Sequence, residues 1–122
     1  MTRARVLIVE DESIVRMHLC NTMRSLGHDV VAAVATADEA VEAARRELPD
    51  LILMDVVMPG QNGFQLTRTI TRDPQYADVP VIMCTSKNQE TDRVWGMRQG
   101  ARDYITKPVD ADELMAKIKA LG

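Results

Sequence analysis

Short apolar runs alternate along the chain with stretches whose apolar residues return every three or four positions. The runs are Val6–Val9, Val30–Val34, Leu51–Met54, Val79–Cys84 and Tyr104–Ile105. Each is continuous rather than alternating, the pattern of a strand covered on both faces. Five helices are predicted after them. The first runs from about Ser13 to Leu26, with Val15, Leu19, Met23 and Leu26 on one face and Gly27 as its stop. The second starts near Asp38 and ends before Pro49. The third starts near Gly63, carries Phe64, Leu66 and Ile70, and ends before Asp73-Pro74. The fourth spans about Glu90 to Gln99, closed by Gly100, with Val94 and Met97 expected to face the core. The last spans about Asp112 to Leu121, with Leu114, Met115, Ile118 and Leu121 apolar. Five strands, each followed by a helix, predict an α/β fold: a parallel sheet with helices on both faces.

Length and composition narrow this to one domain over residues 1–122, large enough for its own core. The composition is that of an ordinary globular domain, with 46% apolar and 27% charged residues. A net charge of -3 with no run of Lys or Arg argues against holding nucleic acid or an anionic membrane by charge. Cys20 and Cys84 form no CxxC pair and read as small core residues in a reducing compartment. His18 and His28 show no metal-ligand spacing and read as surface or helix-flank residues. Met17, Met23, Met54, Met83, Met97 and Met115 fall at core-like positions. The apolar run at residues 6–9 is too short for a signal peptide or a membrane span, so a cytoplasmic protein is expected. No linker or repeat is visible, and no appended output domain is expected within these residues.

In a sheet of this kind ligands bind beyond the carboxyl ends of the strands. After the first strand come Glu10-Asp11-Glu12. After the third comes Asp55, then Met58-Pro59-Gly60; after the fourth, Thr85-Ser86; after the fifth, Lys107-Pro108. Taken singly, each has an ordinary reading: a solvated loop, a helix cap or a surface charge. Together, four loops bring carboxylates, a hydroxyl and an ammonium to one edge. Clustered carboxylates raise one another's pKa unless a cation neutralises them, and Mg²⁺ suits a site with few carboxylates and room for waters. A central carboxylate can attack phosphorus to give an acyl phosphate, with Mg²⁺, Lys107 and Thr85 holding the equatorial oxygens.

Val9-Glu10-Asp11, Leu53-Met54-Asp55-Val56-Val57-Met58-Pro59-Gly60, Cys84-Thr85-Ser86 and Tyr104-Ile105-Thr106-Lys107-Pro108 resemble the receiver-domain pattern of bacterial two-component response regulators. The resemblance covers essentially the whole chain. It implies a (βα)5 doubly wound sheet of flavodoxin-like order 2-1-3-4-5. It implies Asp55 as phosphoacceptor and Thr85 and Lys107 as phosphoryl-binding groups. Asp11 would bind Mg²⁺ directly, with Glu10 assisting through water and the Val57 carbonyl completing the protein ligands. Tyr104 would be a switch aromatic following Thr85, and the Lys107-Pro108 bond would be cis. The implied partners are a histidine kinase or phosphotransfer protein and a downstream protein bound at the face of the fourth helix, fifth strand and fifth helix. The stretch from Thr85 to Tyr104 is similar to the stand-alone regulators of the chemotaxis-like system that controls type IV pilus twitching.

The expected function is therefore a phosphorelay switch that catalyses only its own phosphorylation and dephosphorylation. A phosphate sink without output is the alternative. An aspartyl-phosphate phosphatase would carry a second Asp two residues after the nucleophile, where this chain has Val57. A flavin module would line its first loop with amides and hydroxyls rather than Glu10-Asp11-Glu12. Val57 and Lys87 flank the path of hydrolytic water in the family, and an apolar Val57 predicts a long-lived phospho-form. Trp95 reads first as a flank residue packing on its own helix and second as a partner anchor.

Overall fold

The structure is a computed structural model that describes residues 3–55, 63–85, 94 and 96–121. In chain order the elements are β1 (Arg5–Val9), α1 (Ser13–Ser25), β2 (Asp29–Val34), α2 (Ala37–Glu47), β3 (Leu51–Asp55), α3 (Gly63–Arg72) and β4 (Val81–Thr85). A helix α4 is described at residues 94 and 96–98. It is followed by β5 (Asp103–Thr106) and α5 (Ala111–Ala120). The five strands form one sheet in the order β2-β1-β3-β4-β5, every pair parallel, as the resemblance implied.

The continuous apolar runs have a direct cause. Alternate residues of each central strand feed two separate cores. Leu7, Val9, Ile52, Met54, Val81 and Met83 pack with the α2 alanines and with Leu66 and Ile70 of α3. Val6, Ile8, Leu51, Leu53, Ile82, Cys84 and Ile105 pack with Leu19 and Met23 of α1 and Leu114 and Ile118 of α5. A strand buried on both sides loses the period-two pattern that a half-exposed strand shows. The edge strand β2 departs from this expectation. It is mostly half-buried, because only one neighbour and the flanks of α1 and α2 cover it.

Local chemistry sets the helix ends. Thr36 caps α2, its hydroxyl accepting from the Glu39 N–H at 3.2 Å and donating to Glu39 Oε1 at 3.0 Å. Asp110 caps α5, accepting from the Asp112 N–H at 2.8 Å. Gly27 follows α1 with φ +90, the left-handed turn that a side chain would resist. Both cysteines are buried and unpaired.

Three expectations fail here. His28 is buried rather than on the surface, because the α1–β2 turn tucks it beneath the start of β1, where its Nδ1 accepts from the Ala4 N–H at 2.9 Å. Met17, Met97 and Met115 are exposed rather than core residues, and Val94 is exposed with them. Met17 falls across α1 from the buried stripe of Leu19, Cys20 and Met23, since residues two apart on a helix point well away from one another. Met23, Met54 and Met83 are buried as expected. Trp95 and the first part of the fourth predicted helix lie outside the described residues. Among the described residues, no helix is long and apolar enough to cross a membrane.

Candidate functional site

The parallel register assembles the site. Val9 pairs with Met54, so Glu10 follows one strand just beside Asp55 at the end of the next. Asp55 pairs with Cys84, and Thr85 pairs with Thr106. Glu10, Asp55, Thr85 and Lys107 thus arrive at one sheet edge from four neighbouring strands. Asp55 and Thr85 are the last residues of β3 and β4 rather than the first of the following loops.

Lys107 links the acids. Its Nζ lies 2.9 Å from Glu10 Oε2 and 3.0 Å from Asp55 Oδ1. Its backbone N–H donates to the Thr85 carbonyl at 2.7 Å, and the Lys107-Pro108 bond is cis. Carboxylate oxygens of Glu10, Asp11 and Asp55 lie within 4.8 Å of one another. Glu10 and Asp55 are buried and Asp11 is exposed, so the cluster opens to solvent on the Asp11 side.

The electrostatics follow from burial and like charge. Loss of water raises the Asp55 carboxyl from 3.8 to about 6; the Glu10 charge adds to this rise, and Lys107 opposes it. Burial alone would lower the Lys107 ammonium, but its contacts with Glu10 and Asp55 outweigh that and hold it above its ordinary value. Burial pushes the neighbouring Cys84 thiol up to about 12, so it is no nucleophile. Three carboxylates face one ammonium. Two like charges ~5 Å apart repel by on the order of 3 kcal/mol at an effective dielectric near 20. The donor set is all oxygen, and an ammonium already stands between two of the acids. Both features fit a hard divalent cation.

Thr85 is buried at the end of β4, within one residue of Asp55 in register. Tyr104 is half-buried at the start of β5, away from the acidic edge, with Lys117 Nζ 4.9 Å from its ring centroid. Val57 and Lys87 lie outside the described residues. Two neighbours escaped the sequence reading. Arg16 of α1 donates through Nη1 to the Glu10 carbonyl at 2.8 Å. Lys117 of α5 pairs with Asp103 at 3.2 Å while covering Tyr104. Neither contact leaves a motif. The i, i+4 spacing of Glu113 and Lys117 was the one visible signal.

A profile of the response regulator receiver domain matches residues 6–119. Protein PilH of Pseudomonas aeruginosa is 51% identical over 118 residues, covering 97% of each chain. The phosphate regulon transcriptional regulatory protein PhoB of Escherichia coli is 42% identical over 117 residues, covering 96% of this chain but 51% of its own length. Among solved structures, a putative response regulator from Chloroflexus aurantiacus has a TM-score of 0.91 at 28% identity, covering 98% of this chain and 97% of its own. The chemotaxis response regulator CheY4 of Vibrio cholerae has a TM-score of 0.88 at 28% identity, covering 99% and 100%.

Proposed function

The chain belongs to the response-regulator receiver family and serves phosphorelay signalling, and we propose that Asp55 is its phosphoacceptor. The observation that carries this reading is the convergence of Glu10, Asp11 and Lys107 on the Asp55 carboxylate. The donor is a phosphohistidine on a kinase or phosphotransfer protein. An Asp55 carboxylate oxygen attacks phosphorus, the O–P bond forms and the N–P bond breaks. The electron pair returns to the imidazole nitrogen.

The chain's own groups position this transfer rather than supply reactivity. Burial strips water from the Asp55 carboxylate, and Lys107 directs its ammonium at the oxygen beside it. As charge builds on the phosphoryl oxygens, the same ammonium and the Thr85 hydroxyl hold them. Glu10 and Asp11 would hold Mg²⁺ together with Asp55, with Val57 supplying a backbone carbonyl. When bound, the cation supplies charge neutralisation at the phosphoryl oxygens. Residues 1–122 form one receiver that catalyses only its own phosphorylation and dephosphorylation. Tyr104 follows Thr85 as the switch, and a protein partner reads the face of α4, β5 and α5.

The similarity to PilH over nearly the full length of both chains supports a stand-alone cytoplasmic regulator of a chemotaxis-like pilus system. The transcriptional role in the name of PhoB concerns a protein about twice as long. The test is labelling with a small phosphodonor in Mg²⁺ and in chelator, read by intact mass. Wild type should gain one phosphoryl group only with Mg²⁺, and Asp55→Asn should gain none. Equal labelling of the two would overturn the assignment.

A further inference from the structure

Two of the three carboxylates ride on the short loop between β1 and α1, and the contacts that fix this loop come from either side of it. On one side the Glu10 N–H donates to the Val34 carbonyl of β2 at 3.0 Å. On the other, Arg16 of α1 donates through Nη1 to the Glu10 carbonyl at 2.8 Å and reaches the Asp11 carbonyl at 3.4 Å. The base of Arg16 is itself fixed, since its backbone N–H donates to the Glu12 carbonyl at 2.8 Å in the first turn of the helix. Glu12, the residue that caps α1, makes no side-chain cap of its own. Within the loop, the Glu12 N–H reaches Glu10 Oε1 only at 3.4 Å.

We propose that Arg16 is a positioning residue for the divalent cation of the Asp55 site, acting by clamping the carbonyls of Glu10 and Asp11 toward α1. The proposal rests on the metal reading given above. Its physical content lies in which oxygens Arg16 uses. Lys107 occupies carboxylate oxygens of Glu10 and Asp55 and so competes with a cation for them. Arg16 takes only main-chain carbonyls in these contacts. It brings positive charge close to an acidic loop without occupying a ligand atom there. A guanidinium suits this task, because its planar fork can serve two adjacent acceptors and never loses its proton. Ligands held in place before the cation arrives need no further ordering on binding, which is how groups beyond the metal's own ligands raise affinity.

Isothermal titration of Mg²⁺ into the metal-stripped full chain, without phosphodonor, tests the clamp directly. Arg16→Met keeps the length of the side chain and removes its donors. It should weaken Mg²⁺ binding about tenfold. Arg16→Lys keeps the charge and loses the fork, and should fall between the two. The metal-free unfolding midpoint of each variant should stay close to wild type. With a small phosphodonor, the Mg²⁺ concentration for half-maximal labelling should rise by the same factor while the rate at saturating Mg²⁺ is kept. Arg16→Met binding Mg²⁺ within about twofold of wild type would overturn the proposal. So would a lower rate at saturating Mg²⁺ with an unchanged half-maximal concentration. Should Arg16→Met not fold, Arg16→Lys decides alone, and wild-type affinity in that variant overturns the proposal. Failure of the wild-type chain to bind Mg²⁺ at all would overturn the metal reading and the clamp together, whereas normal binding in both chains removes the clamp only.

Discussion

Lys107 Nζ lies 3.0 Å from Asp55 Oδ1, and the same nitrogen lies 2.9 Å from Glu10 Oε2. One ammonium therefore balances two buried acids whose own repulsion works against the fold. The two ends of this contact carry opposite stability signs. Asp55 is ionised at a cost, because burial is the main cause that raises its carboxyl to about 6. Lys107 offsets that cost, together with the cost of Glu10.

Asp55→Asn should accordingly stabilise the metal-free protein. The amide oxygen still accepts from Lys107, and one negative charge leaves the cluster. The expected gain is about 1–2 kcal/mol near neutral pH, read by urea denaturation in chelator. Mg²⁺ should shrink or reverse the difference, since it binds the wild-type cluster more tightly and stabilises by mass action. A variant less stable than wild type in chelator would contradict this account of the site.

Lys107→Met should move the metal-free protein the other way. It leaves Glu10, only 1% exposed, without its cation. Breaking a fully buried pair costs about 3–5 kcal/mol; here about 2 kcal/mol is expected, because Lys107 keeps a quarter of its side-chain surface in water. Saturating Mg²⁺ should restore much of the lost stability while labelling by a small phosphodonor stays slow. Restoration of both together would mean that Lys107 serves charge balance and not the transfer.

Most of this site was legible in the sequence because apolar runs report burial. A run that stops at Met54 or Cys84 marks where the chain leaves the core, and the ligand edge lies there. Burial and backbone pairing do not stop together, however. Asp55 and Thr85 still pair in the sheet after the apolar run has ended, which is why both strands extend one residue past the pattern. Exposed apolar residues misled for a related reason. Met17, Val94 and Met97 share their helices with core residues, and hydropathy alone does not say which flank of a helix the sheet covers. His28 and Arg16 were invisible because their partners are main-chain atoms, and main-chain acceptors and donors carry no residue code.

His28 predicts a pH dependence of stability. Burial is the main cause that lowers its pKa below 6.5, with the Asp29 charge opposing. A histidine whose folded value is depressed binds its proton more readily when unfolded. Its contribution is therefore complete above the unfolded value and is lost as pH falls through 6.5 toward the folded value. Protonation at Nδ1 would also remove the acceptor of the Ala4 N–H. His28→Asn supplies an oxygen acceptor that does not titrate. Its stability should fall less than that of wild type between about pH 7 and pH 5. His28→Ala should lose about 1–2 kcal/mol at every pH, because the Ala4 N–H is left unpaired. Parallel pH profiles for wild type and His28→Asn would remove His28 as the cause.

Gly100 follows α4 with φ +106, and a Cβ built there would lie 2.6 Å from Thr71 Oγ1. That hydroxyl donates into α3, to the Thr67 carbonyl at 2.8 Å, and also reaches the Gln99 carbonyl at 2.9 Å, so it ties α3 to the end of α4. Gly100→Ala adds both backbone strain and overlap, and should cost about 2–3 kcal/mol. Thr71→Ala relieves the overlap but not the φ. The double variant should therefore recover part of the loss, a coupling that a double-mutant cycle measures. Strict additivity of the two substitutions would show that the close approach carries none of the cost.

Tyr76 is only 4% exposed, and its hydroxyl oxygen is the one buried side-chain polar atom without a partner among the described residues. The ring packs in the core beneath α2 and α3. A buried hydroxyl without a hydrogen bond forfeits its hydration and receives nothing in exchange, whereas the ring's burial is favourable with or without it. Tyr76→Phe keeps the ring and should stabilise the protein by about 1 kcal/mol, raising the thermal midpoint by a few degrees. Tyr76→Leu should instead destabilise by removing ring volume from a packed core. Loss of stability in Tyr76→Phe would mean that the hydroxyl has a partner in solution, such as an ordered water, and solvent exchange at that site would then be the quantity to measure.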